Sequence, residues 1–222
     1  MLLAAGRGER LRPLTDRIPK PLIVIGGKPL ISHHLLALAS AGYRRVVINI
    51  SHLREQIPAA LGDGSAFGVE IVYSDEGDER LETGGGIFKA LPLLGAQPFL
   101  VMNSDIWCGH ALAMPGLGEH DLVHAVLVSN PPDHKGDFSL RDGRLGNQTP
   151  FSHTFAGIAW YRPEFFAGCS PGRFPLAPLL RKAADDDRAS AEDFTGRWMD
   201  LGTFERLERL RNLLHTTKSP AV

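Results

Sequence analysis

A short apolar run, LLAA, stops at GRGERLRPLTDRIPKP, residues 6–21. Gly6 and Gly8 let the backbone turn sharply and present N–H groups to an anion. Arg10, Arg12 and Lys20 follow with fixed positive charge, which is what a polyphosphate requires. A solvated basic loop is the plainer alternative, but the order of strand, glycine turn and cations favours phosphate. Far along the chain, Asp105 ends the run FLVMNSD and Asp200 lies in GRWMDLGT. Each alone could be a turn or helix-cap aspartate. Together with a phosphate loop they form a coherent set, because magnesium typically takes one or two protein carboxylates plus phosphate oxygens.

Other site chemistries find little support. A dinucleotide fingerprint needs a third glycine where Leu11 stands and a helix directly after the turn; Pro13 and Pro19 make this segment a long loop instead. The Gly-Lys-Ser/Thr of a P-loop is missing. The nine histidines show no zinc spacing, and Cys108-Gly109-His110 lacks a second pair. Gly-x-Ser-x-Gly and a Cys/His nucleophile motif are absent too, which argues against hydrolysis through a covalent triad. RLETGGGIFKA, residues 80–90, places glycines at a helix start. There a ligand could approach the backbone closely, or the helix entrance could simply be tight.

The elements that must position these residues follow from periodicity. LLAA reads as a buried strand feeding a loop. After Gly26-Gly27, KPLISHHLLALASAG sets Leu30, Ile31, Leu35, Leu38 and Ala39 on one helical face, with Pro29 in the first turn and Gly42 at the stop. RRVVINI is a second strand, LREQIPAALG a short helix and VEIVYS a third strand. GGGIFKALPLLG is a helix with Ile87, Ala90, Leu91 and Leu94 inward. FLVMNSD and DLVHAVLVS are a fourth and a fifth strand. This alternation implies parallel crossovers and an α/β sheet covered on both faces. Beyond Pro131 the pattern changes. DFSLRDGRLG reads as a hairpin turning at Asp142-Gly143, TFAGIAWY as a strand, and LAPLLRKAADD and FERLERLRNLL as helices. HTTKSPAV is expected to be a frayed tail. With no internal repeat and no low-complexity linker, residues 1–222 read as a single domain.

Composition narrows the partners. A net charge of -1 lacks the basic surplus of a general nucleic-acid or membrane binder. Two cysteines are too few for a disulfide framework, so a reducing cytoplasm is the expected compartment. No apolar run approaches the roughly 20 residues of a membrane span, and MLLAAGRGER lacks the features of a signal peptide. Nothing in the sequence sets the oligomeric state; a monomer is the simplest expectation.

The motifs LAAGRGERLRPLTDRIPKPL, NSD and WMDLGT, in this order and spacing, resemble those of the sugar-1-phosphate nucleotidylyltransferases, over nearly the whole chain. The resemblance implies an α/β, Rossmann-like three-layer nucleotidyltransferase fold, with a mixed, mostly parallel sheet flanked by helices. Residues 1–130 would form the nucleotide-binding half and 131–222 the sugar-side half. It further implies attack by a sugar 1-phosphate oxygen on the α-phosphate of UTP, with pyrophosphate leaving, Mg²⁺ as cofactor and no covalent enzyme intermediate. On this likeness Arg10 and Lys20 would be catalytic, Arg10 on the leaving pyrophosphate and Lys20 bridging the reacting phosphates. Gly8, Glu9 and Arg10 would line the triphosphate, and Ala4, Ala5, Gly6 and Gly84 would lie near the nucleoside. Asn103 and Asp137 would meet the sugar, and Asp105 and Asp200 would hold the metal.

Within the family, LETGGGIFKALPLL, the GDF at residues 136–138 and the closing GRWMDLGT are most similar to members that uridylylate N-acetylmuramate α-1-phosphate in bacterial peptidoglycan recycling. The missing Glu-Lys-Pro motif between Gly146 and Gly157 also favours an unusual sugar. Two alternatives stay open: a mannose- or glucose-1-phosphate enzyme using GTP, dTTP or UTP, and a non-catalytic sugar-nucleotide sensor. Retention of Arg10, Lys20, Asp105 and Asp200 argues against the sensor. For Asp137 a turn aspartate before Phe138 is the competing reading.

Overall fold

The computed structural model describes residues 1–131 and 134–216. Its strands are β1 (Leu2–Leu3), β2 (Val24–Ile25), β3 (Lys28–Pro29), β4 (Arg45–Ile50), β5 (Glu70–Asp75), β6 (Phe99–Asn103), β7 (Ile106–Cys108), β8 (Val123–Ser129), β9 (Ser139–Arg141), β10 (Arg144–Gly146), β11 (His153–Tyr161), β12 (Ala189–Asp193) and β13 (Trp198–Asp200). The α-helices are α1 (Leu30–Ser40), α2 (Gln56–Leu61), α3 (Glu82–Leu94), α4 (Ala177–Asp185) and α5 (Phe204–Thr216).

Nine strands form one sheet in the order β5-β4-β1-β6-β11-β8-β12-β10-β9. β1 is central, with Leu2 opposite Ile48 on one side and Met102 on the other, and β5, β4, β1 and β6 are all parallel. α1, α2 and α3 lie in the connections between these strands, as parallel crossovers require. The expectation of a mixed, mostly parallel sheet holds: seven of the nine strands run one way, and only β11 and β10 run against them. β11 enters antiparallel between β6 and β8, β10 is antiparallel to both β12 and β9, and only β8–β12 is again parallel. β8 thus runs in the direction of β6 although the described residues between them hold no helix, and β11 returns antiparallel into the gap between the two. Asp142 and Gly143 both take positive φ at the β9–β10 turn, as the hairpin reading requires.

Helices cover both faces. On one, Ile31, Leu35 and Leu38 of α1 and Ile57 and Leu61 of α2 pack with Ile48, Met102 and Ile158. On the other, Ile87 and Ala90 of α3 and Leu180 and Ala183 of α4 pack with Val101, Ala125 and Tyr161; Leu91 and Leu94 are only partly buried there. Each fully buried aliphatic side chain contributes about 1.5–3 kcal/mol. A third cluster joins Leu207 and Leu210 of α5 to Leu11, Ile23, Ile25 and Leu30. It ties the end of the chain to the glycine-rich loop at its start. The expected frayed tail begins later than the sequence suggests, since residues 215 and 216 complete α5; the rest of it lies outside the described residues. No described helix is long and apolar enough to cross a membrane.

Candidate active site

A cleft of about 800 Å³ opens beyond the carboxyl ends of β1, β4 and β6, where ligands of open α/β sheets bind. Leu3, Ala4, Ala5, Gly6, Gly8, Glu9, Arg10, Lys20, Asn103 and Asp105 all line it. Its floor is a buried polar network. Asn49, at the end of β4, accepts the Ala4 N–H at 2.7 Å and donates to Glu76 at 2.6 Å. The other Glu76 oxygen accepts the Leu81 N–H at 3.2 Å. Burial pushes the Glu76 carboxyl above its ordinary range, and these hydrogen bonds only partly offset it. Ser104 holds the neighbouring strand end, its Oγ donating to Leu3 O at 2.5 Å.

The loop after β1 is braced from within although much of it is exposed; Arg12 is off the cleft lining and pairs with Asp16 at 2.9 Å. Gly8 sits at φ +66° with ψ 42°, the left-handed region, and an added Cβ would lie 3.0 Å from the Thr15 methyl. Thr15, fully buried, donates to Gly8 O at 2.9 Å, and His52 in turn meets Thr15 O at 2.8 Å. Lys20, at the start of a 3₁₀ turn entered through Pro19, is buried with its Nζ 2.7 Å from Asp105 Oδ2. Among the described residues Arg10 has no hydrogen-bond or ion-pair partner. Its guanidinium lies over Gly202, where a Cβ would fall 2.4 Å from Nη2 and 2.8 Å from Asp200 Oδ1. Gly202→Ala is therefore expected to push Arg10 and Asp200 aside and to lower kcat by about 10–100-fold, with a modest fall in melting temperature from the disturbed Asp200–Arg206 pair. Wild-type kinetics in this variant would show that Arg10 needs no fixed position.

The antiparallel β7–β13 ladder brings the two aspartates together. Asp200 pairs with Ile106, and the Leu201 N–H reaches Asp105 O at 2.8 Å. Asp105 faces the cleft, but Asp200 is not on its lining. The Asp200 carboxylate accepts from Arg206, from His134 Nε2 at 3.1 Å and from the Gly202 N–H at 3.1 Å. Burial pushes its carboxyl up, yet Arg206 and these hydrogen bonds prevail and hold it below the usual range. Hard oxygen donors of this kind suit a divalent cation. No described group of three or more His, Cys, Asp or Glu residues could hold a metal unaided, so other oxygens must complete its shell. The Cys108 thiol, pushed up to about 11 by burial, is no ready nucleophile.

Residues 1–120, more than half of the chain, match the nucleotidyl transferase family. The chain belongs to that family. It is 48% identical to the N-acetylmuramate alpha-1-phosphate uridylyltransferase of Neisseria meningitidis, the match covering 96% of each chain. It is 35% identical to the enzyme of that name from Caulobacter vibrioides, over 91% of this chain and 90% of the other. A Bacillus anthracis structure assigned as a glucose-1-phosphate thymidylyltransferase superposes with a TM-score of 0.84 at 20% identity, covering 99% of this chain and 96% of that one. This nucleotidyltransferase is an enzyme, and its family membership implies dependence on a divalent metal.

Two residues expected at the site, like Asp200, are not on the cleft lining. Gly84 packs against Phe174, where a Cβ would fall 2.5 Å from the ring, while Glu82 and Thr83 beside it line the cleft. Asp137 is off the cleft lining as well; its carboxylate accepts the Phe155 N–H of β11 at 3.0 Å. The reason is structural: β11 is irregular between Phe155 and Ala159, and Asp137 satisfies a donor that the ladder there leaves over. Asp137→Ala is expected to cost about 1–3 kcal/mol in denaturant unfolding, with the KM values of both substrates unchanged. A rise in one KM alone would restore Asp137 to the site. Sequence reasoning missed Asn49, Glu76, Arg80 and Arg173, all on the cleft lining. A polar Asn49 inside the apolar RVVINI was the available signal. Arg80 pairs with Glu9 at 3.1 Å and Arg173 with Glu82 at 2.7 Å.

Proposed function

We propose that this enzyme transfers a uridylyl group from UTP to N-acetylmuramate α-1-phosphate, forming UDP-N-acetylmuramate and pyrophosphate, in the cytoplasm and in the service of peptidoglycan recycling. The observation that carries the reading is the 48% identity to the Neisseria meningitidis enzyme across nearly all of both chains. The cleft supports it, because its residues suit the transfer of a nucleotidyl group to a sugar 1-phosphate.

Ala4, whose N–H is held by Asn49, frames the nucleoside with Ala5 and Gly6, and Gly8, Glu9 and Arg10 follow the triphosphate. A phosphate oxygen of the sugar attacks the α-phosphorus in line with the departing pyrophosphate; one P–O bond forms and one breaks. Lys20, carried on a rigid turn, exchanges Asp105 for the reacting phosphates and stabilises the charge that develops on them. Arg10, without another partner, receives the pyrophosphate. Asp105 and Asp200 would hold Mg²⁺, which when bound would screen the charge on both reactants. Asn103, at the end of β6, faces the sugar. Every one of these groups comes from one chain, so a monomer suffices.

Pyrophosphate release from UTP and Mg²⁺ on addition of N-acetylmuramate α-1-phosphate tests this reading. Release matched to the sugar phosphate consumed is expected. Binding of UTP with no release would make the chain a sensor instead.

A further inference from the structure

We propose that Arg206 is a resident counter-ion of Asp200, which keeps a divalent cation off that carboxylate until nucleotide arrives, so that cation and triphosphate enter together. The inference rests on the reading of Asp105 and Asp200 as the metal carboxylates. Arg206 lies in the first turn of α5, where a cation opposes the positive end of the helix dipole. Such a placement needs a carboxylate facing it, and Asp200, at the end of β13, provides one. Both side chains are largely withdrawn from solvent, 22% and 18% exposed, so their attraction is screened less than that of a surface pair. Across the β7–β13 ladder, Asp105 holds Lys20 in the same way. Arg10 adds a third cation beside Gly202 and Asp200.

A divalent cation arriving alone thus meets two carboxylates already neutralised by the protein's own charges, and must displace one of them. A triphosphate changes the balance. It offers Lys20 and Arg10 new oxygen partners, frees the Asp105 carboxylate, and brings anionic oxygens to complete the metal's shell. Arg206, which is not on the cleft lining, acts through Asp200 as a positioning residue.

Mn²⁺ titrated by electron paramagnetic resonance, once alone and once with UTP, without sugar phosphate and at fixed pH, tests the proposal. Arg206→Gln is expected to bind Mn²⁺ alone at least about tenfold more tightly than wild type, and UTP should then add correspondingly less to Mn²⁺ affinity. Arg206→Lys, which restores the charge, should behave as wild type. Thermal melting checks the fold; if the glutamine variant melts early, Arg206→Met keeps the aliphatic stem and takes its place. No gain in Mn²⁺ affinity without the charge, alongside intact Mn²⁺·UTP binding by wild type, overturns this inference alone, as does an equal gain in Arg206→Lys. Failure of wild type to bind Mn²⁺·UTP overturns it together with the functional reading.

Discussion

Lys20→Met lowers kcat by about 10²–10³-fold, the usual cost of removing one preorganised electrostatic group from a transfer site. Methionine keeps the approximate volume of the buried stem and loses only the ammonium. Stability should change little, because the carboxylate left behind is partly solvated: the Asp105 side chain is 40% exposed. The variant therefore separates chemistry from folding. Circular dichroism and melting should match wild type while steady-state turnover falls. A loss below about threefold, far short of such a group's usual contribution, would make Lys20 a structural partner of Asp105 and nothing more.

Replacing either proposed metal carboxylate is expected to have a comparable effect. Asp105→Asn and Asp200→Asn keep shape and remove charge, and each is expected to lower kcat by about 10²-fold or more. EDTA should abolish wild-type turnover, and added Mg²⁺ should restore it. The two variants differ in stability. Asp200→Asn weakens the charge pairing of the partly buried Arg206, a cost of about 1–3 kcal/mol in denaturant unfolding, whereas Asp105→Asn leaves Lys20 beside an open cleft and costs less. Full activity of either variant would remove that residue from the metal site.

What the sequence disclosed about this site depended on how local each signal was. The glycine turn, Arg10 and Lys20 fall within one short segment, and its prolines exclude a long α-helix, so the loop was legible and with it the reading of a phosphate cradle. Asp105 was legible as the end of an apolar strand. That Asp200 lies beside it was readable from shared chemistry and motif resemblance and not from periodicity, because the ladder joining them pairs only Trp198–Asp200 with Ile106–Cys108, runs too short for a period to show. Asn49 and Glu76 meet across 27 residues of sequence, and the bond from Phe155 to Asp137 spans 18. Contacts of that range are decided by register, which no residue pattern states. Likewise α1 and α3 declared themselves through 3.6-residue spacing, while the reversed direction of β11 did not, since an apolar strand reads the same whichever way it runs.

Product identity tests the central claim most directly. The protein is mixed with Mg²⁺, equal concentrations of UTP, GTP and dTTP, and equal concentrations of the 1-phosphates of N-acetylmuramate, glucose and mannose; the nucleotide sugars formed are read by mass spectrometry. UDP-N-acetylmuramate should dominate the early products. Predominance of GDP-mannose, UDP-glucose or dTDP-glucose, or the formation of no nucleotide sugar at all, would contradict the account.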